Sequence, residues 1–419
     1  MKKLRKLLKI LGPGFITGAS DDDPSGIATY SQTGAQFGYS QLWTSLWVFP
    51  FMTVIQEMCG RIGMVTGKGL AGVIRKHYPK AILYICVVIL LLANTVNIGA
   101  DLGAMAASAE LIFGIPFAFW LIGMTVLTLI LEVFVSYQVY AKVLKYLTMS
   151  LFTYIVAVFI VQQDWGAIIQ ATLIPTIQFN KEFLMNIIAL LGTSISPYLF
   201  FWQAGEEVEE QVSSHKIRSM GRGIPHVTKS DLRNMRMDTV IGMFFSNMIQ
   251  FFIIATTAST LHVNGIFQIN SAAEAASALR PVAGDFAFLL FAFGVIGTGL
   301  LAVPVLAGSA AYAFAEAFGW REGLYLKFKQ AHGFYGVITI ATLIGLLVNF
   351  TKIDPFQMLY YTAILNGIAA PPLMAIILLI CNNPKIMGKH TNGFWSNFLG
   401  WIITGVMAIA SIALLITFI

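Results

Sequence analysis

Residues 18–30 read GASDDDPSGIATY, and this stretch decides how the chain must be built. It lies in the middle of an apolar segment, about 12–38, that is long enough to cross a bilayer. Three adjacent carboxylates followed by Pro24 and Gly26 cannot continue a lipid-facing helix. Proline pushes the residue before it, Asp23, away from helical geometry, and Gly26 permits open backbone. A water-exposed loop between two short spans fails on length, since 12–20 and 27–38 are each too short to cross. The expectation is two half-helices joined by an unwound acidic linker, whose freed carbonyls and carboxylates make a cation site.

The composition agrees. Of 419 residues, 57% are hydrophobic and 11% charged, and the mean hydropathy is +0.76. A soluble chain carries roughly 25% charge, so this one cannot cover a water-facing surface. A cytosolic enzyme, a secreted disulfide domain, a disordered protein and a nucleic-acid binder are excluded, and no cofactor or covalent catalytic site is legible. Cys59, Cys86 and Cys381 sit apart in or beside apolar runs and read as small hydrophobes. The basic N-terminus lacks a signal peptidase site and reads as a mature first segment.

Eleven spans are expected, at about 12–38, 44–66, 81–110, 117–136, 145–163, 184–205, 237–261, 284–316, 333–350, 356–381 and 395–418. With the N-terminus in the cytoplasm, 23 of the 26 Lys and Arg fall on the inner side. Only Lys181, Arg280 and Lys352 fall outside. A missed or extra span would scramble this alternation, so the positive-inside rule supports eleven spans with the C-terminus outside. The whole chain, 1–419, reads as one transmembrane transporter domain without a soluble domain.

Span 6 carries the partner of the first break, GTSISPY at 192–198, where a proline again lies mid-span behind small hydroxyl residues. Spans 1 and 6 are equivalent members of a five-plus-five repeat. Interrupted helices in corresponding halves point to a binding site at the midplane. Repeat one covers about 12–163, repeat two about 184–381, and 395–418 is an extra helix. Asn94, Asn97 and Asp101 share one face of span 3, where they line the path or join helices. Gln56 and Glu57 read as pairing or gating groups, and Glu132 as a solvated or paired carboxylate. Asn366 reads as a path or packing residue. Glu206, Glu207, Glu209 and Glu210 suit either an inner vestibule that concentrates cations or a solvated helix end.

With these motifs in place, the chain resembles the NRAMP family of divalent-metal transporters. LGPGFITGASDDDPSGIATYSQTGAQFGYSQLW (11–43) is similar to that family's first-helix signature, and IQEMCGRIGMVTGKGLAGVIRKHYP (55–79) to its second helix and following loop. The resemblance implies an all-α polytopic membrane protein of the LeuT type, with two inverted five-helix repeats and helices 1 and 6 broken around the ion. It implies metal ligands at the positions of Asp23, Gly26, Thr193 and Ser196, with Asp22 beside them.

The departures from the family pattern are chemical. Gly26 stands at the position of a ligand asparagine, Ser196 at that of a ligand methionine and Tyr198 at that of a histidine. Ala104 stands where a proton-path glutamate is expected beyond Asp101, and 333–350 holds no charge in place of paired arginines. A thioether favours softer ions such as manganese over hard magnesium, and magnesium tends to keep several waters on one or two carboxylates. The pattern resembles the magnesium-transporting branch of the family. The expected function is import of Mg2+, partly hydrated, and also Mn2+, by alternating access and without proton coupling. The expected setting is a bacterial-type plasma membrane. Tyr198, Asn97, Asp101 and Glu206 are expected along the permeation path. Divalent ions and the bilayer are the expected partners, with no nucleic acid and no obligate protein partner.

The alternative is a proton-coupled Mn2+/Fe2+ transporter of the same family. A sodium-coupled amino-acid symporter is disfavoured because three aspartates repel a substrate carboxylate. A receptor or open channel is disfavoured by the two broken helices and the missing sensor domain.

Overall fold

The two prolines set the architecture. In the computed structural model, which describes residues 12–135, 152–161, 163–351 and 353–417, α1 (Pro13–Asp21) stops and α2 (Pro24–Phe37) begins at Pro24. Likewise α7 (Lys181–Ser194) stops and α8 (Pro197–Ser213) begins at Pro197. Each break leaves two residues non-helical, Asp22 and Asp23 in the first and Ile195 and Ser196 in the second. Proline is tolerated at the first turn of a helix because the N–H it lacks has no intrahelical partner there.

The other expected spans are α3 (Phe49–Thr66), α4 (Lys80–Phe113), α5 (Phe117–Phe134), α6 (Phe152–Ile160), α9 (Lys229–Thr260), α10 (Ala287–Phe318), α11 (His332–Val348), α12 (Pro355–Cys381) and α13 (Phe394–Ile416). Among the described residues seven helical stretches, counting α7 and α8 as one, are long and apolar enough to cross a membrane unaided. The four expected spans not among them are the first, which carries three aspartates, and α3, α6 and α11, of which α6 and α11 are short. The N-terminal arm, Lys352 and the 4–5 loop with Lys142 and Lys145, together with the start of span 5, lie outside the described residues.

Burial sorts the helices into those that hold the site and those that face lipid. The apolar stretch across α7 and α8 is 83% buried, whereas that of α5 is 28% and that of α13 is 33% buried. Backbone proximity binds the inner helices. A Cβ added at Gly18 of α1 would lie 2.2 Å from the carbonyl carbon of Gly242 in α9. A second crossing between the same halves is alike: a Cβ at Gly63 of α3 would lie 2.1 Å from the Ala204 carbonyl oxygen of α8. Only glycine permits these crossings, the device that small residues supply in membrane packing.

Polar contacts show which helix ends share a face. Asp238 in the third turn of α9 accepts from the N–H groups of Gly12, Gly14 and Phe15, at 2.9, 2.7 and 3.1 Å. It thereby caps α1 with a carboxylate where the helix dipole favours one. Glu57 of α3 pairs with Arg61 at 3.2 Å and with Arg236 at 3.0 Å. Arg61 also donates to the His390 carbonyl and to Asn392. The start of α1, the end of α3, the start of α9 and the 10–11 loop therefore lie on one face, as the alternation of eleven spans requires.

Candidate metal site

The first break turns its three aspartates in different directions. Asp23 caps α2, and its Oδ1 accepts from the Ser25 hydroxyl at 2.6 Å and the Gly26 N–H at 2.7 Å. Its Oδ2 accepts from the Asn97 amide of α4 at 3.0 Å. Asp21 and Asp22 turn instead toward α9. The Ser246 hydroxyl lies 2.5 Å from Asp21 Oδ2 and 3.4 Å from Asp22 Oδ1. All three side chains are buried. Among the described residues none of them forms a salt bridge, and no three His, Cys, Asp or Glu side chains converge as a ready-made metal cage.

What the break does offer is unclaimed oxygen. Asp21 Oδ1, Asp22 Oδ2, the Tyr30 hydroxyl, Asp101 Oδ1 and Asn366 Oδ1 are buried without a hydrogen-bond partner. Buried carboxylates without a counter-charge are costly, so the arrangement calls for a cation. Asn97 connects the pieces. Its amide also lies 3.2 Å from Asp101 Oδ2, and its carbonyl oxygen accepts from Asn366 at 3.3 Å. Asn97 and Asp101 thus belong to the break. Asn94 does not, because it donates to the Leu306 carbonyl and to Ser309 of α10.

At the second break Ser196 donates to the carbonyls of Gly192 and Thr193, at 2.8 and 2.7 Å, and Thr193 donates back within α7. A hydroxyl that spends its one hydrogen on a carbonyl keeps its lone pairs, and so remains an oxygen donor for a cation. Tyr198 bridges the two breaks by donating to the Ser20 carbonyl at 2.9 Å. Gly26 is the only expected ligand without a side chain. A Cβ there would sit 3.3 Å from both the Asp21 carbonyl oxygen and the Tyr30 ring.

Sulfur comes nearer than the sequence indicates. A Cβ at Gly299 of α10 would lie 2.5 Å from the Met105 sulfur and 3.3 Å from Pro24 Cγ. Met105 is therefore a neighbour of the first break, although no contact joins its sulfur to an aspartate. Met52 is engaged elsewhere and accepts from Asn247.

Two carboxylate expectations need revision. Glu132 is not solvated or ion-paired among the described residues: it is buried, and its polar neighbour is the Thr342 hydroxyl. Glu206 and Glu209 are not a solvated helix end. Both accept from the Tyr312 hydroxyl of α10, and Glu209 also accepts from the Leu324 N–H. Ser246 was not legible as a site residue, although the polar pair Ser246–Asn247 inside an apolar span is a signal that could have found it.

Comparisons with known proteins fit this geometry. A family model described as natural resistance-associated macrophage protein-like matches residues 14–417. The divalent metal cation transporter MntH of Klebsiella pneumoniae subsp. pneumoniae is 25% identical over 407 residues, covering 96% of this chain and 92% of the relative. MntH of Agrobacterium fabrum is 25% identical over 431 residues, covering 99% and 88%. Among solved structures, the manganese transporter of Eremococcus coleocola, in complex with an aromatic bis-isothiourea substituted compound, is similar. Its TM-score is 0.75 at 17% identity, over 98% of this chain and 87% of that one. Mhp1, a nucleobase-cation-symport-1 family transporter, has a TM-score of 0.60 at 12% identity, over 97% and 91%.

Proposed function

The chain belongs to the Nramp family of transporters and has the LeuT-type fold of two inverted five-helix repeats, and from that premise we propose that it imports Mg2+, partly hydrated, and Mn2+ by alternating access without proton coupling. Asp23 is the anchoring carboxylate. Asp22, the Gly26 backbone, Thr193 and Ser196 complete the oxygen shell, and Tyr198, Asn97, Asp101 and Glu206 mark the path. The observation that carries this reading is the donor chemistry of the two breaks. Carboxylate, hydroxyl and carbonyl oxygen line them, and a serine stands at Ser196 with its lone pairs available. Oxygen donors suit magnesium and manganese, and the absence of a thioether at that position removes a preference for softer ions. The reading includes a bacterial-type plasma membrane, an N-terminus in the cytoplasm and a C-terminus outside, supported by the distribution of Lys and Arg.

One observation favours a second reading, a proton-coupled Mn2+/Fe2+ transporter. Asn97 links Asp23 to Asp101 by hydrogen bonds, and such a chain is the start of a proton route. Purified protein in liposomes, loaded with a pH-sensitive dye and given inward gradients of magnesium, manganese or calcium, separates the two. Magnesium uptake without acidification supports the first reading. Failure to carry magnesium, with manganese uptake that acidifies the lumen, supports the second.

A further inference from the structure

A cleft of about 650 Å³ opens on the face that holds the start of α1, and its lining includes no residue of either helix break. Three segments distant in sequence build it: the helix Leu70–His77 after α3, the segment after α8, and the loop between α10 and α11. They are held together by hydrogen bonds that each engage at least one backbone group. Lys68 donates to the Gly221 carbonyl at 2.8 Å, and the Gly221 N–H donates to the Gly67 carbonyl at 2.8 Å. The Gly72 N–H donates to Glu316 at 2.9 Å, and Arg75 donates to the Glu316 carbonyl at 3.2 Å.

Six cations line this cleft: Lys68, Arg75, Lys76, Arg218, Arg222 and Arg321. The positive-inside rule explains why such residues collect on one side of a membrane protein. It does not explain why three separate segments aim them into one concavity. Lys68 and Arg75 are engaged with carbonyls. Among the described residues Lys76, Arg218, Arg222 and Arg321 form no salt bridge. Two carboxyls share the lining. Glu316 is held by the Gly72 N–H. Glu322 is 9% exposed, and its Oε2 is buried without a hydrogen-bond partner. Burial, with Glu316 beside it, pushes the Glu322 carboxyl above the usual carboxylate range, which weakens its claim on the neighbouring cations. Converging guanidinium groups without a salt-bridge partner are the chemistry of oxyanion recognition, where arginine binds phosphate oxygens in pairs.

We propose that this cleft binds a phosphate-type oxyanion, carried on a lipid headgroup or on a soluble phosphoanion, and that the bound anion clamps the segment after α8 to the helix Leu70–His77 and the loop before α11. This site is independent of which ion crosses the membrane. The test uses full-length protein in phosphatidylcholine nanodiscs without divalent metal, titrated with pyrophosphate and read by calorimetry and thermal unfolding. A parallel preparation uses nanodiscs containing phosphatidylglycerol. Saturable heat and a raised unfolding midpoint with pyrophosphate identify a soluble phosphoanion. A raised midpoint confined to the phosphatidylglycerol discs identifies a headgroup.

In either case Arg218→Gln, Arg222→Gln and Arg321→Gln together should abolish the gain, and each alone should weaken pyrophosphate binding roughly tenfold if that arm is positive. These side chains are exposed, so the variants should fold, which their anion-free midpoints check. No response in either preparation, a response matched by chloride at equal ionic strength, or an undiminished response in the triple variant would overturn the proposal.

Discussion

The Tyr198 hydroxyl donates to the Ser20 carbonyl at 2.9 Å, so the first turn of α8 closes on the last turn of α1 across the two breaks. That carbonyl belongs to the end of a half-helix and has no continuing turn to bond it. Tyr198→Phe should leave it unsatisfied and lower stability by about 1–3 kcal/mol. Thermal unfolding of the purified variant measures this, and Tyr198→His, which keeps a donor, should recover part of the loss. A Phe variant as stable as the parent would mean that the two breaks are not joined here.

Asp23→Asn should abolish metal uptake while the protein still folds, because the amide keeps the shape but removes the anchoring charge. Asp22→Asn should reduce uptake less, and Asp21→Asn least. Ser246→Ala belongs to the same series: it removes the hydroxyl that Asp21 and Asp22 share, so it should lower uptake without abolishing it. Full-rate uptake by Asp23→Asn would dismiss the proposed anchor.

Ser196→Met should shift preference toward manganese and cadmium, since it adds a soft ligand. It also frees the Gly192 and Thr193 carbonyls from the serine hydroxyl. Competition between magnesium and cadmium in liposomes reads the shift. Met105→Leu is the necessary companion, because the Met105 sulfur already lies beside the first break. A cadmium response lost in Met105→Leu would move the soft ligand from position 196 to position 105.

Metal uptake should run without acidification of the lumen. Asp101 is bonded through Asn97, yet Ala104 and the stretch 333–350, which holds no charge, supply no onward carriers. Acidification that scales with uptake and disappears in Asp101→Ala would establish coupling.

Asp238→Ala should destabilise the protein by about 2 kcal/mol, because one carboxylate satisfies three N–H groups at the start of α1. Denaturation in detergent measures it, and Asp238→Asn should recover part of the loss. No change in stability would mean the cap is replaced by water.

Much of this architecture could be read from local chemistry. Pro24 behind three aspartates and Pro197 behind small hydroxyl residues mark the breaks as a pair, whereas Pro304, Pro371 and Pro372 lie inside continuous helices, and the apolar run lengths dictate the spans. The spacing of Asn97 and Asp101 placed them correctly on one face. The same spacing left open whether Asn94 lines the path or joins helices, because a helix face is shared among several neighbours and only packing decides that Asn94 meets α10. The partner of Ser246, the Tyr198–Ser20 bridge and the burial of Glu132 were illegible for one reason. Each depends on which distant helix lies opposite, and that is set by glycine-permitted crossings between segments more than a hundred residues apart.

The crossing at Gly18 and Gly242 has a mechanical consequence. α1 is held to α9 at its start by Asp238, at its middle by this contact and at its end by Ser246. A rod fastened at three points cannot pivot alone. Whatever rearrangement admits the cargo from one side and releases it on the other should carry α1 together with the part of α9 that it touches, and α2 is fastened to the far part of α9 in the same way, at Gly34 against Ile254 and Thr257. Paired spin labels on α1 and that part of α9 should accordingly keep their separation through the cycle, and a changing separation would show that the two come apart.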